Sequence, residues 1–284
     1  MTPSDLEFLC GLVRQRSGIV ITPDKEYLLE NRLTPIAQQH KLSGLPGLVA
    51  ALRRPNEALA REVVEAMTTN ETLFFRDSRP FEMLRSDVLP VLLKARQTSR
   101  TLRIWSAACS TGQEPYSIAM LMKEESARMA GWRVSILATD ITRTVLAKAR
   151  AGIYSQFEVQ RGLPITHLVK YFRQTGTQWE LDPALRAMVD FREHNIIADA
   201  TPGRGFDVIF CRNLLIYFDQ DQKRRVLDNL AAAMADDAVL FLGGTESVLG
   251  LTDTLEPVPE KRGLYRRATR SAAPAQRLAA GGRG

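Results

Sequence analysis

With 284 residues, 45% hydrophobic and 25% charged, the chain has the make-up of a soluble globular protein holding one ordinary domain and a smaller one. No apolar run approaches the roughly 20 residues of a membrane helix, and MTPSDLEFLC has no basic segment ahead of an apolar core, so neither membrane insertion nor secretion is expected. The net charge of +6 invites a nucleic-acid partner, but five of those charges (Arg266, Arg267, Arg270, Arg277, Arg283) fall in an acid-free end, 266–284; the body is nearly neutral and no nucleic-acid partner is expected.

In chain order, residues 1–75 read as a small all-helical domain. FLCGLVRQRSG (8–18) is helical by spacing and stops at Gly18. The next helix is expected to open at Thr22 as N-cap with Pro23 behind it, and Leu28, Leu29, Leu33 and Ile36 share one face. SGLPGLVAALRR and PNEALAREVVEAMTT complete the set. Between Arg14 and Arg54 seven basic residues outweigh three acids. This is either a solvated face or a docking surface for an acidic partner helix. TTNETLFFRD (68–77) is rich in capping residues and reads as the start of an N-capped helix, with Phe74 and Phe75 in the core.

From about residue 100 strands alternate with helices. LRIWSAA, VSILATD, MVDFREHNI, FDVIFCRN and AVLFLGG are apolar, β-branched runs, and SIAMLMKEESARMA, ITRTVLAKARAGI and DQKRRVLDNLAAAMA are helical by period. The alternation implies an α/β domain built on a largely parallel sheet. LVKYFRQTGTQWELDPALRAMVDF (168–191) breaks the rhythm and reads as a small antiparallel hairpin around a Thr-Gly turn, inserted into that domain. The Ala/Gly/Arg-rich end is expected to be a disordered tail.

Ligands of open α/β sheets sit beyond the carboxyl ends of the strands. There the first strand offers Cys109-Ser-Thr-Gly112-Gln-Glu114, the second Asp140, the third Asn195 and the fourth Arg212-Asn213. The first turn lacks the glycines of a dinucleotide site and the Lys of a phosphate loop. Asp140 reads as a ribose-hydroxyl acceptor or as a helix cap. Glu114 reads as a complement to a helix dipole or as a partner for a cation. Together they suit a cationic, phosphate-free nucleoside, and S-adenosylmethionine has that chemistry. Cys10, Cys109 and Cys211, with His40, His167 and His194, have no metal-ligand spacing, so no metal is expected and a reduced, cytoplasmic setting is.

NETLFFRD, WSAACSTGQEPYS, LATDI, RGLP and FCRNLLIYFD, in this order, resemble the CheR family of chemotaxis receptor methyltransferases over about residues 5–267. The resemblance implies a helical domain (1–75) that recognises receptors and a class I (Rossmann-like) S-adenosylmethionine-dependent methyltransferase domain (76–267). A β-subdomain is inserted at about 165–192, and 268–284 remain as a tail. It implies methylation of glutamate side chains on methyl-accepting chemotaxis receptors, with S-adenosylhomocysteine as product, by a monomer peripheral to receptor arrays. Asn70, Thr72, Arg76, Glu114, Asp140, Asn195, Ile196, Arg212 and Asn213 match the family's cofactor contacts. Arg76 and Tyr217 match residues near the reacting carboxylate, and Arg14, Arg32, Arg53 and Arg54 become candidates for receptor docking. Some members hold a receptor's C-terminal peptide with a longer loop in the β-subdomain; QTGTQWELD is compact, which points to an enzyme independent of such tethering. The competing readings are a non-catalytic S-adenosylmethionine-binding signalling module and a methyltransferase for another substrate.

Overall fold

The computed structural model describes residues 1–22 and 25–268. Pro23 and the expected tail from 269 onward lie outside the described residues. Four helices come first: α1 (Pro3–Ser17), α2 (Tyr27–Gln39), α3 (Gly44–Leu52) and α4 (Glu57–Met67). Thr2 and Asp5 form a reciprocal capping box at the start of α1. The helix ends at Gly18, whose φ of +73° is left-handed. Leu9, Val13, Leu29, Leu33, Leu48 and Val63 make this layer's core. α2 starts at Tyr27, five residues after the expected Thr22 cap. Glu26 holds the N-cap position, so Thr22 does not cap the helix.

Gly18 begins a strap, Gly18–Val20, that lies against the second domain. A Cβ at Gly18 would run into Ile197 Cδ1 and sit 3.4 Å from Phe218 Cδ1, on top of the cost of its left-handed φ. Gly18→Ala is therefore expected to destabilise the protein by about 2 kcal/mol, read by urea denaturation. A wild-type midpoint would show that the strap yields freely.

The strap-facing domain opens with helix α5 (Arg79–Met83), a widened π turn (Leu84–Val88) and α6 (Leu89–Ala95). Pro90 accounts for the widening: its ring would collide with the Ser86 carbonyl of a regular helix, and it has no N–H to donate there. Then follow β1 (Thr101–Ala107), α7 (Gln113–Glu124), β2 (Arg133–Asp140), α8 (Arg143–Ala151), β3 (Ile153–Ser155), α9 (Gln156–Gln160) and α10 (Ile165–Tyr171). The chain continues through β4 (Phe172–Thr175), β5 (Gln178–Leu181), α11 (Pro183–Arg186), β6 (Val189–Glu193) and β7 (Phe206–Cys211). It closes with α12 (Gln220–Ala233), β8 (Met234–Leu242), β9 (Leu255–Pro257) and β10 (Leu264–Arg267).

The main sheet runs β6-β2-β1-β7-β8-β10-β9. Its first five strands are parallel, and β10 is antiparallel to both neighbours. Strand order reverses at β1, whose neighbours are β2 and β7, and that is where a crevice opens. Alternate residues of β1 feed two cores: Leu102 and Ile104 pack with α7 and the small sheet, Trp105 and Ala107 with α12. The parallel α/β sheet, the helical domain and the small antiparallel sheet all match the expectation.

Several details differ. The small sheet, β3-β5-β4, draws in Ile153–Ser155, ahead of the expected 165–192 span, and ends at Leu181; MVDF, counted both in that span and among the main-sheet strands, belongs to the main sheet, where β6 pairs with β2. The hairpin itself turns on Gly176 and Thr177 alone. β9 and β10 had no counterpart in the sequence reading, being three and four residues long, too short for a period to show. NETLFFRD is not a helix start: α4 ends at Met67, the chain runs without regular structure to Leu73, and 74–77 form a turn with Phe74 fully buried.

Candidate active site

The crevice at the carboxyl ends of β1, β2 and β7 is a cleft walled on one side by the strap and on another by the 68–76 segment. Asn70, Thr72, Arg76, Glu114, Asp140, Asn195, Ile196, Arg212, Asn213 and Tyr217 all line it, so residues scattered over nearly 150 positions converge on one cavity. Non-glycine residues with positive φ cluster around it: Phe75, Asp77, Ser78, Ala108, Ser110 and Asn213. Such conformations persist only where the surroundings over-determine them.

Two buried carboxylates set the charge of the cleft. Asp140, at the end of β2, accepts Ser110 N–H at 2.8 Å and Thr142 N–H at 2.9 Å, so it pins the turn after β1 and caps the approach to α8. Each oxygen keeps a further acceptor site. Burial pushes its pKa up, with these backbone donors opposing, and it has no ion-pair partner among the described residues. Glu114, in the first turn of α7, accepts Ser106 Oγ–H at 2.8 Å and meets Arg212 Nη1 at 3.1 Å. Burial raises its pKa too, against the pull of Arg212 and Ser106. The acid that looked unpaired in the sequence is thus half of an internal ion pair.

Arg212, its side chain only 2% exposed, is the hub. Its Nη2 donates to the Arg76 carbonyl at 2.9 Å and to Asp77 at 2.6 Å, while its Nε is buried with no partner among the described residues. Gly112 is explained locally. A Cβ there would lie 2.9 Å from Ala149 Cβ and 3.2 Å from Tyr154 Oη, so the glycine serves turn packing against α8 and not an approach to phosphate.

The other anticipated residues divide. Arg76 is half-exposed and gives one N–H to the Glu71 carbonyl at 2.9 Å. Tyr217, in the short turn Leu215–Tyr217, accepts the strap's Val20 N–H on its carbonyl at 3.0 Å. Asn70 donates to Thr68 Oγ1 and accepts Ser110 Oγ–H on its carbonyl. The Asn195 amide donates to the Arg16 carbonyl at 2.6 Å, so it ties α1 to the cleft wall, and Ile196 lies half-buried beside it.

Of the four arginines expected to dock a receptor, three have partners within the protein. Arg14 pairs with Asp219 at 2.7 Å, and Arg32 donates to the Met67 and Thr68 carbonyls at 2.9 Å each, beyond the end of α4. Arg53 lies over the Phe8 ring, 3.8 Å from Asp5, and Arg54 is exposed. Sequence reasoning passed over Ser106, which holds Glu114, and His194, a buried cleft residue whose pKa burial lowers. It also passed over Asp77, adjacent to a quoted motif arginine. Cys109 lines the cleft as well, but burial lifts its thiol pKa well above normal, which removes it as a nucleophile.

The donor set tests the ligand class. Two buried carboxylates, one of them without a counter-charge, suit hydroxyl donors and a cationic group. There is neither a glycine nest nor a lysine at the turn for a pyrophosphate. The residues present therefore fit S-adenosylmethionine. Comparison with known proteins points the same way. Residues 70–264 match the family model described as the SAM-binding domain of CheR methyltransferase, and residues 4–68 match that of the CheR all-alpha domain. Chemotaxis protein methyltransferase 1 of Pseudomonas aeruginosa is 39% identical over 269 residues, covering 93% of this chain and 98% of that protein. Chemotaxis protein methyltransferase 1 of Vibrio cholerae is 40% identical over 264 residues, covering 91% and 95%. With both domain models matched in order and relatives aligned nearly end to end, the chain belongs to the CheR methyltransferase family.

Proposed function

We propose that the protein transfers a methyl group from S-adenosylmethionine to glutamate side chains of methyl-accepting chemotaxis receptors, leaving a glutamate methyl ester and S-adenosylhomocysteine. The observation that carries the reading is the uncompensated buried Asp140 beside the Glu114–Arg212 pair, at the sheet's switch point, in a chain of this family. When bound, the cosubstrate supplies an electrophilic methyl group on a sulfonium.

What the chain's own residues must do is limited. A glutamate carboxylate is already ionised at neutral pH, so no general base is required. Attack of an anion on a cation disperses charge, which a site drier than water favours. Positioning is then the main task. Asp140 is the acceptor for ribose hydroxyls, Glu114 with Arg212 sets the field at the cationic end, and Arg76 and Tyr217 orient the incoming carboxylate. Arg54 remains the candidate for steering an acidic receptor helix, since Arg14, Arg32 and Arg53 are engaged within the protein. The two-residue hairpin turn at Gly176 supports action without a tethering peptide. The protein is proposed to work as a monomer in the bacterial cytoplasm beside receptor arrays.

Incubation with methyl-labelled S-adenosylmethionine and receptor-containing membranes tests this. Base-labile label on receptor protein is the expected result. Tight cofactor binding with no transfer to any receptor would sink the proposal and leave a binding module.

A further inference from the structure

The connection after β8 plays no part in the chemistry described so far, yet it holds a buried acid in an unusual setting. Glu246 is 7% exposed and has no cationic partner among the described residues. Its carboxylate accepts three backbone N–H groups instead: Asn213 at 2.9 Å and Gly243 at 2.6 Å on Oε2, and Leu215 at 2.7 Å on Oε1. A charge taken out of water is tolerable only when hydrogen bonds replace the lost hydration, and here both oxygens are used. Two of the three donors belong to the segment that leads from β7 to Tyr217. Asn213 itself stands at φ +58°, a conformation a non-glycine residue keeps only when held. Gly243 makes the close approach possible: a Cβ there would lie 2.7 Å from Glu246 Oε2 and 3.0 Å from Asn213 N.

We propose that Glu246 is a positioning residue for methyl transfer. Its carboxylate, seated under three backbone N–H groups, fixes Asn213 in its left-handed conformation and sets the Leu215–Tyr217 turn, so that Asn213 and Tyr217 stand in the cleft wall. No side chain of the cleft reaches the carboxylate; Glu246 acts through the backbone of the segment that carries them. The rate consequence rests on the methyl-transfer reading, whereas the effect on cofactor affinity does not.

The test compares Glu246→Gln and Gly243→Ala with wild type. Gln keeps the size but replaces one acceptor oxygen with an NH2 that meets an N–H head-on. Gly243→Ala crowds the same clamp with the charge intact. For both, the kcat per folded molecule is expected to fall between about 10- and 100-fold with the receptor KM unchanged. The S-adenosylmethionine Kd, measured by calorimetry, is expected to rise about tenfold. The folded fraction is measured in parallel. A variant with wild-type kcat and Kd per folded molecule overturns the proposal and leaves Glu246 a stability residue. If Glu246→Gln does not fold, Gly243→Ala decides by the same two readouts. If the wild-type protein binds S-adenosylmethionine but methylates no receptor, the functional reading fails, and the Kd comparison still judges Glu246.

Discussion

Arg76→Ala should lower kcat/KM for receptor methylation by about 100- to 1,000-fold while leaving the unfolding midpoint nearly unchanged, the scale seen when one donor to a reacting group is removed. Arg76 is half-exposed and gives a single N–H to the Glu71 carbonyl. The rest of its fork is free for a carboxylate, which a guanidinium can grip with two parallel bonds. Its backbone is held from both sides: Phe75, Asp77 and Ser78 flank it at positive φ, and its own carbonyl accepts the buried Arg212. The side chain thus presents a partly unused fork on a firmly held stem. Arg76→Lys keeps the charge but not the fork and should fall in between, about tenfold below wild type. Single-turnover rates and calorimetric cofactor binding together locate the carboxylate: a loss in rate at unchanged Kd assigns Arg76 to the receptor glutamate, a rise in Kd to the cofactor's own carboxylate. Full turnover in Arg76→Ala would remove it from the site.

Much of this cleft was legible because its parts sit where strands end. Asp140, Asn195 and Arg212-Asn213 each follow an apolar strand run, and residues at that position of an open α/β sheet face the crevice. What the sequence concealed has physical reasons. Arg212 reaches Glu114 and Asp77 across separations of 98 and 135 residues, so no local spacing records the pair, and Glu114 looked like a free acid awaiting a cation. The 74–78 turn contains no glycine to announce its positive φ values, and Thr68, Thr69, Asn70 and Thr72 just ahead of it mimic a helix cap. Glu246 is invisible because its partners are backbone N–H groups, which every residue but proline possesses. Arg14 and Arg32 read as surface charge since neither Asp219 nor the carbonyls at the end of α4 is near them in sequence. β3 is only three residues long and follows Gly152 at the end of α8, where it passed for the tail of a helix.

Arg212→Met should have the largest effect on stability, about 3–5 kcal/mol, because it strands a buried carboxylate. In melting temperature this is a fall of roughly 6–20 °C for a domain of this size. Asp77, its side chain 58% exposed, returns to water at little cost. Glu114, 11% exposed, cannot, and keeps only Ser106. The pH dependence follows from the same contact. Burial already holds the Glu114 pKa above its ordinary value, and Arg212 is the largest influence opposing that. Without Arg212 it rises further. A carboxyl raised in the folded state adds stability below its unfolded pKa, and that contribution is lost as pH climbs through the folded one. The deficit of Arg212→Met should therefore be greatest at neutral pH and shrink as the pH is lowered toward the ordinary glutamate range. Urea denaturation at pH 7 and pH 5 reads this directly. The double variant Arg212→Met/Glu114→Gln, with no buried charge left, should recover most of the loss and flatten the pH dependence. Glu114→Gln alone leaves Arg212 paired with Asp77, so its fold should hold while S-adenosylmethionine affinity drops about tenfold. If the double variant is no more stable than Arg212→Met, the cost lies in the lost bonds to Arg76 and Asp77, and Glu114 is not what Arg212 neutralises.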